Sequence, residues 1–326
     1  MPLPMRLIRT LSLILMVCLA APPGVAPAQS QTQGPTFRVF APFWKLGQGF
    51  DTILILRNRH QRSSVSATPV VYTTDGREIR LGTVQFAPNS AETLSLGDAL
   101  AATGSSAGSG AIALEYQGPN GSSFAAQIRV KNVAQSLVFD LPFLRGATAA
   151  GTPQVLTAPW CLRDEETRGT LVLFNTSTTQ IVAHPSGAVA QAWLPLGDIV
   201  LAPHEVRQLD FRRLLRENGI HDVTLGLLRL SSDGPAEALR PALLFANEKT
   251  GYSLTASFDQ KQTALSDHLA AFHVPSVSIN SPDASLGFSH NIQFTPYALL
   301  GNTTGAQLTV QLKASYEVAG QVAPEP

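Results

Sequence analysis

Two short motifs in the chain have the spacing of a catalytic or metal site. Residues 104–108 read GSSAG, which satisfies the G-x-S-x-G spacing of a serine nucleophile. A nucleophile elbow needs a strand before the serine and a helix after it, whereas this stretch follows a predicted helix. His204 and Glu205 begin an H-E-x-x-H-like string, but position 208 is Gln, so the second zinc-binding imidazole is absent. We therefore predict no catalytic residue, no zinc site and no enzymatic activity.

Two further clusters carry groups that could bind a cation. His268 and His273 lie five residues apart beside Asp267, and residues 164–166 read DEE. Calcium loops require alternating oxygen ligands around a glycine turn, and that spacing is missing. We interpret both clusters as solvated polar segments and predict no metal ion and no cofactor.

The three tryptophans could provide a flat apolar surface for a ligand. Trp44 and Trp160 follow the same Ala-Pro pair in different parts of the chain, which favours a repeated core position. Trp193 has no tryptophan counterpart and alternates with Val189 and Gln191 on a predicted strand. Core packing is the commoner role for such a residue, but Trp193 is the best candidate for an exposed ligand contact.

Composition excludes several classes of protein. Lys plus Arg and Asp plus Glu are each 23, so the net charge is zero, whereas nucleic-acid binders need a basic surface. Only 14% of the 326 residues are charged and 44% are apolar, which excludes wholesale disorder and allows sizeable cores.

The N-terminus has the pattern of a signal peptide. Arg6 and Arg9 precede an uncharged apolar run, and a small-x-small site ends at Ala28. The run is too short to cross a bilayer as a helix, so we predict cleavage after residue 28 and export to the periplasm or the medium. The alternative is a lipoprotein attached through Cys18, but Val17 occupies the place where a small residue is expected.

After cleavage Cys161 is the lone cysteine, and we expect it to be buried beside Trp160 and to form no dimer.

The most informative feature of the sequence is an internal repeat of about 117 residues. Segments of the first copy return in the same order in the second copy, with offsets of 115 to 117. The matched pairs are Ala41-Pro42 with Ala158-Pro159, Leu54–Asn58 with Leu171–Asn175, Leu81-Gly82 with Leu196-Gly197, Ala87-Pro88 with Ala202-Pro203, and Gly118-Pro119 with Gly234-Pro235.

A third copy begins near Phe272 and contains only the first part of the unit. Asn302 matches Asn58, because Tyr316 then follows at the same interval as Tyr72. Either the printed chain is a piece of a longer array, which we favour, or these strands dock on the second unit or on a partner chain.

Asn175 and Asn302 also match the N-glycosylation acceptor pattern, but we interpret them as turn residues.

Each unit has the hydrophobic pattern of β-structure. Ala111–Tyr116 alternates with period two, and the Asp75-Gly76 dipeptide predicts a hairpin between two apolar runs. About seven strands are predicted per unit. One short helix recurs, at Leu96–Thr103 and Phe211–Asn218, each followed by glycine. Linkers are predicted at 146–153 and 259–267.

These patterns predict an all-β protein of tandem antiparallel β-sandwich modules. The modules cover 37–145 and 154–260, with a partial third module at 270–326, after a signal peptide at 1–28. The repeated order of strand, hairpin, short helix and hairpin resembles uncharacterised bacterial secreted β-sandwich repeats, which look like immunoglobulin-like surface and adhesion modules. That resemblance implies a non-enzymatic protein of the cell envelope, structural or binding another envelope or extracellular protein, and it carries no site residues. The alternative is a secreted carbohydrate-binding or carbohydrate-processing protein, in which an exposed aromatic such as Trp193 would stack on a glycan.

Overall fold

The fold is described from a computed structural model. The structure describes residues 35–105, 108–145, 155–189, 192–256, 258–260, 317–318 and 321–322. The described residues from Pro35 onward belong to one compact unit. The predicted all-β class is confirmed, because the described residues form antiparallel sheets with two short helices. The predicted signal peptide lies outside the described residues.

The first strand set contains ten strands and one helix. In chain order they are β1 (Thr36–Lys45), β2 (Phe50–Asn58), β3 (Val65–Thr73), β4 (Glu78–Arg80), β5 (Val84–Phe86), β6 (Ala91–Ser95), α1 (Leu96–Ala101), β7 (Ser109–Gln117), β8 (Phe124–Asn132), β9 (Leu137–Pro142) and β10 (Leu144–Arg145).

The second strand set repeats the same series. Its elements are β11 (Leu156–Cys161), β12 (Arg168–Asn175), β13 (Ile181–Val189), β14 (Ala192–Pro195), β15 (Ile199–Leu201), β16 (Val206–Asp210), α2 (Phe211–Glu217), β17 (Leu225–Ser232), β18 (Leu239–Asn247), β19 (Tyr252–Ala256) and β20 (Asp259–Gln260). A separate pair, β21 (Glu317–Val318) and β22 (Gln321–Val322), forms a small hairpin.

The two sets share one topology. The first set has sheet I, ordered β10-β1-β7-β3-β4 with β5 also on β3, and sheet II, ordered β6-β2-β8-β9. The second set has sheet III, ordered β20-β11-β17-β13-β14 with β15 also on β13, and sheet IV, ordered β16-β12-β18-β19. Each strand of one set therefore has a counterpart ten positions later in the other. Ten short strands per unit replace the seven expected, because several apolar runs break into two pieces.

Inside each set a buried tryptophan packs against a glycine of the neighbouring strand, where no larger side chain would fit. Trp44 and Trp160 are both buried, which confirms their predicted core position. The indole Nε1 of Trp44 donates to the carbonyl of Ala111 at 2.9 Å. A side chain at Gly110 would collide with the backbone of Tyr72, and one at Gly226 would lie 2.6 Å from the Trp160 ring. Glycine is therefore required where β7 and β17 pass the tryptophan.

A buried asparagine closes β2 and its counterpart β12. The Asn58 amide donates to the carbonyls of Ser63, Phe86 and Ala87 at 2.8, 3.3 and 2.9 Å. Asn175 repeats this pattern at 2.7, 3.3 and 2.9 Å in the second set. Both residues are fully buried. Asn175 is the last residue of β12 and not the turn residue that the sequence predicted, although its side chain binds the turn that follows.

The predicted turns and helices are confirmed with slightly shorter helices. Gly76 has φ +80° in the β3–β4 hairpin, where positive φ favours glycine. Ser95 caps α1 by accepting from the Asp98 amide, and Asp210 caps α2 in the same way.

The two sets meet at a joint that is part of a hydrophobic core. We define the joint as the contact between one face of sheet I, which carries Phe40 and Tyr72, and the outer face of sheet IV. The Phe174 ring lies 5.9 Å from Phe40 and 5.2 Å from Tyr72, measured between ring centroids. The apolar residues of sheet IV that join the core of the first set are Val172, Phe174, Val206, Ala242 and Leu244. Sheet I is therefore covered on both faces, by sheet II and by sheet IV.

Some predicted features fall outside these elements or differ from them. The 146–153 linker and most of the third copy lie outside the described residues. The 259–267 segment is not wholly a linker, because Asp259 and Gln260 pair with β11. No helix in the described part of the chain is long and apolar enough to span a membrane.

Candidate interaction surface

The second set presents one sheet face that no described strand covers. Residues paired across antiparallel strands lie on the same face of a sheet. Leu227 pairs with Ala188 and with Pro159, and Ala188 also pairs with Trp193. These side chains therefore share the outer face of sheet III, opposite to the face of the buried Trp160. We call this surface the sheet III face.

Trp193 lies on β14 at the edge of the sheet III face. The structure corrects its predicted setting, because Val189 ends β13 and Trp193 belongs to the returning strand β14. Gln191 lies outside the described residues. The Trp193 side chain is half-buried, and the guanidinium carbon of Arg229 lies 3.7 Å from the ring centroid. This cation–π contact holds one face of the indole against the sheet.

The sheet III face is apolar at the end near Cys161, whereas Arg229, Ser186 and His184 lie toward its other end. Leu225 is 67% exposed, and Leu227, Ala188 and Pro159 are half-buried. Cys161, at the end of β11, is also half-buried on this face, so the prediction of a buried thiol is wrong. Its pKa is raised, mainly by partial burial, which keeps the thiol protonated and less nucleophilic.

The corresponding face of sheet I is the one that forms the joint. Ala111 and Ala113 occupy the places of Leu227 and Arg229, and both are fully buried. Tyr72 occupies the place of Ala188 and is also fully buried. Two faces with the same position in the repeat therefore differ in their side chains and in whether another described sheet lies on them.

A polar network lies at the rim of the joint. Arg38 donates to the hydroxyl of Tyr72, which donates to Glu78 at 3.3 Å. Burial is the main cause that raises the pKa of Tyr72 to about 12. The His204 ring stacks on Tyr72 with centroids 5.2 Å apart. Burial first, and then the charge of Arg38, lower the pKa of His204. Arg38 also pairs with Glu115 at 3.4 Å.

A cavity of about 430 Å³ lies between the two strand sets. Apolar residues of both strand sets line most of its wall, from β1, β9 and β10 on one side and from β11, β18, β19 and Phe258 on the other. Arg240 is 5% exposed in this wall, donates to the carbonyl of Arg145, and pairs with Glu237 at 3.0 Å. Desolvation is the main cause that lowers the pKa of Arg240. Because Glu237 balances this charge, we regard the cavity as part of the packing between the sets.

The motifs with catalytic or zinc-like spacing do not form such sites. Helix α1, not a strand, precedes the G-x-S-x-G stretch, and residues 106–107 lie outside the described residues. His204 has φ +56° in the turn before β16, so the H-E-x-x-H-like string follows a turn and a strand and is not helical.

The DEE loop at 164–166 is held by protein groups. The Asp164 carboxylate accepts from the amide and the hydroxyl of Thr167 at 2.6 and 2.8 Å. Glu165 pairs with Arg216 at 2.9 Å, and Glu166 pairs with Lys249. Within the described residues, no group of three His, Cys, Asp or Glu side chains could hold a metal ion. His268 and His273 lie outside the described residues.

No protein-family model, curated protein or solved structure matches this chain. The assignment of the sheet III face and the joint as candidate interaction surfaces therefore rests on the geometry of the described residues alone. Sequence reasoning found Trp193 but missed the joint residues Arg38 and Tyr72. They could have been found as places where the repeat breaks, because Arg38 aligns with Val155 and Tyr72 with Ala188.

Proposed function

We propose that the protein is an exported, non-enzymatic array of immunoglobulin-like β-sandwich modules that serves as a structural or protein-binding element of the cell envelope. In this proposal the modules are residues 37–145 and 154–260. The observation that best supports this proposal is the joint, in which residues of the second set are part of the hydrophobic core of the first set.

A joint of this kind supports a spacer role. Modules connected only by a linker move relative to one another by default, whereas Phe174 is wedged between Phe40 and Tyr72. Polar bonds reinforce the contact, since Gln208 donates to the Ser109 hydroxyl and the Val138 amide donates to the Ser253 hydroxyl, both at 3.0 Å. Two modules locked in this way hold a fixed distance and present their surfaces in a fixed orientation.

Carbohydrate binding is the second candidate, and Trp193 is the observation that favours it. Exposed aromatic rings are the usual platforms for sugar rings. The Arg229 guanidinium already occupies one face of the indole at 3.7 Å, so at most one face remains for a sugar. We therefore place protein binding first.

The two candidates are separated by paired binding assays on the mature chain. Chemical cross-linking in the producing cells should capture an envelope protein, and the purified partner should then bind the mature chain saturably. A glycan array should give no binding. Glycan binding that is lost in Trp193→Ala and kept in Leu194→Ala would instead establish the carbohydrate reading, since Leu194 is the neighbouring residue on the opposite face of β14.

A further inference from the structure

We propose that the sheet III face is the docking surface for the third copy of the unit, residues 272–326 of this chain. In this arrangement the third copy stacks on the second set as sheet IV stacks on sheet I. The proposal goes beyond the envelope function, because it concerns how the chain itself is assembled.

The chain leaves the second set at the place where it left the first. Strand β10 pairs with β1 through Val39 and Phe40. Strand β20 pairs with β11 through Leu156 and Thr157, which are the counterparts of those two residues. After β10 the chain continues into the set whose sheet IV covers sheet I. After β20 it leaves from the same edge, beside the uncovered sheet III face.

The opposite end of the pair is more polar than the joint, although Ile55 keeps the place of Val172 apolar, and this difference gives the array a direction. The outer face of sheet II is the counterpart of the joint face of sheet IV. Arg57, Gln127 and Arg129 stand there in the places of Phe174, Ala242 and Leu244. Arg129 also forms a bidentate pair with Asp140 at 2.8 and 2.9 Å. Terminal units of repeat proteins carry such polar outer faces, whereas the sheet III face carries leucines and Trp193 beside Arg229, Ser186 and His184.

The third copy has the composition of a covering partner. Between Phe272 and Tyr316 the chain has only two charged residues, Asp283 and Lys313. Alignment on the repeated asparagine places Leu299 where the second set has Val172, and Val172 is one of the joint residues. An apolar side chain therefore recurs at the position that makes the contact in the described joint.

Thiol labelling of the full mature chain tests the docking. Leu227 is the reporter position, because its counterpart Ala111 is fully buried in the joint. In a Cys161→Ser background, Leu227→Cys should react slowly with a maleimide. Adding Leu299→Asp should increase the labelling rate at least tenfold. Adding Val133→Asp should leave it unchanged, since Val133 is 42% exposed in the first set. Fluorescence of the buried tryptophans checks that both described sets stay folded.

Two results would overturn the proposal. Equal, fast labelling of Leu227→Cys in all three proteins would show that nothing covers the sheet III face. Slow labelling that becomes fast on dilution would show that a second copy, not residues 272–326, covers it. Neither result would affect the binding assays for the envelope function, so the two proposals fail separately.

Discussion

The repeated buried asparagine gives the sharpest test of the fold. Replacing Asn175 with Ala removes three donated bonds to backbone carbonyls, of which two are short, at 2.7 and 2.9 Å. It also removes the acceptor for the Ser177 amide, at 2.9 Å. Each such bond contributes about 0.5–1.5 kcal/mol net, and each buried group left without a partner costs about 1–3 kcal/mol.

We expect Asn175→Ala to lower the free energy of unfolding by about 3 kcal/mol, since relaxation and water entry recover part of the full sum. For a body of this size the Tm should fall by about 6–12 °C. Urea denaturation followed by circular dichroism measures the change, with Asn58→Ala as a replicate in the first set. Gln85→Ala, an exposed amide on β5, is the control and should change the stability by less than about 0.5 kcal/mol.

The reasoning is refuted if Asn175→Ala and Gln85→Ala have the same stability. A large loss at Asn175 with none at Asn58 would show that the two asparagines are not equivalent, and the strand-by-strand correspondence of the two sets would then be in doubt.

Three further predictions concern single positions. Burial lowers the pKa of His204. As the pH falls, the imidazole is therefore protonated in the unfolded state before it is protonated in the folded state. The free energy of unfolding should therefore have its full value above about pH 6.5 and should fall as the pH drops below that value. The difference between the denaturation midpoints at pH 7.5 and pH 5.5 should be smaller in His204→Asn than in the unmodified protein. His221→Asn, which replaces an exposed histidine, should keep the full difference. Gly226→Ala should lower the free energy of unfolding by about 1–3 kcal/mol, because the new methyl group collides with the Trp160 ring. Gly82→Ala, at an open position, should not lower it, and urea denaturation measures both changes. Cys161 should give a monomer band on a non-reducing gel, and a stable disulfide-linked dimer would contradict this.

Much of the fold could be predicted from the sequence because local chemistry specifies it. The alternation of β7, the glycine turn at Gly76 and the glycines after the two helices each depend on neighbouring residues. The repeat added long-range information, because two copies of one pattern must fold into two copies of one topology. This explains why the positions of Trp44 and Trp160 were predicted correctly.

The remaining features depend on contacts between units, which no local pattern records. The period-two alternation of Ala111–Tyr116 is typical of a strand with one exposed face, yet Ala113 on that face is fully buried because sheet IV lies on it. Cys161 was expected to be buried because it follows Trp160, but neighbours on a strand point to opposite faces. Trp193 was placed on one strand with Val189, since no glycine or proline marks the turn between them.

The joint also determines how the protein responds to a pulling force. In a chain of linked domains each module extends separately, and the linkers absorb the first strain. Here Phe174 of one set lies in the core of the other, so a load on the termini must pull an aromatic side chain out of packed hydrocarbon before either set can tilt. We expect the two sets to yield together at one high force.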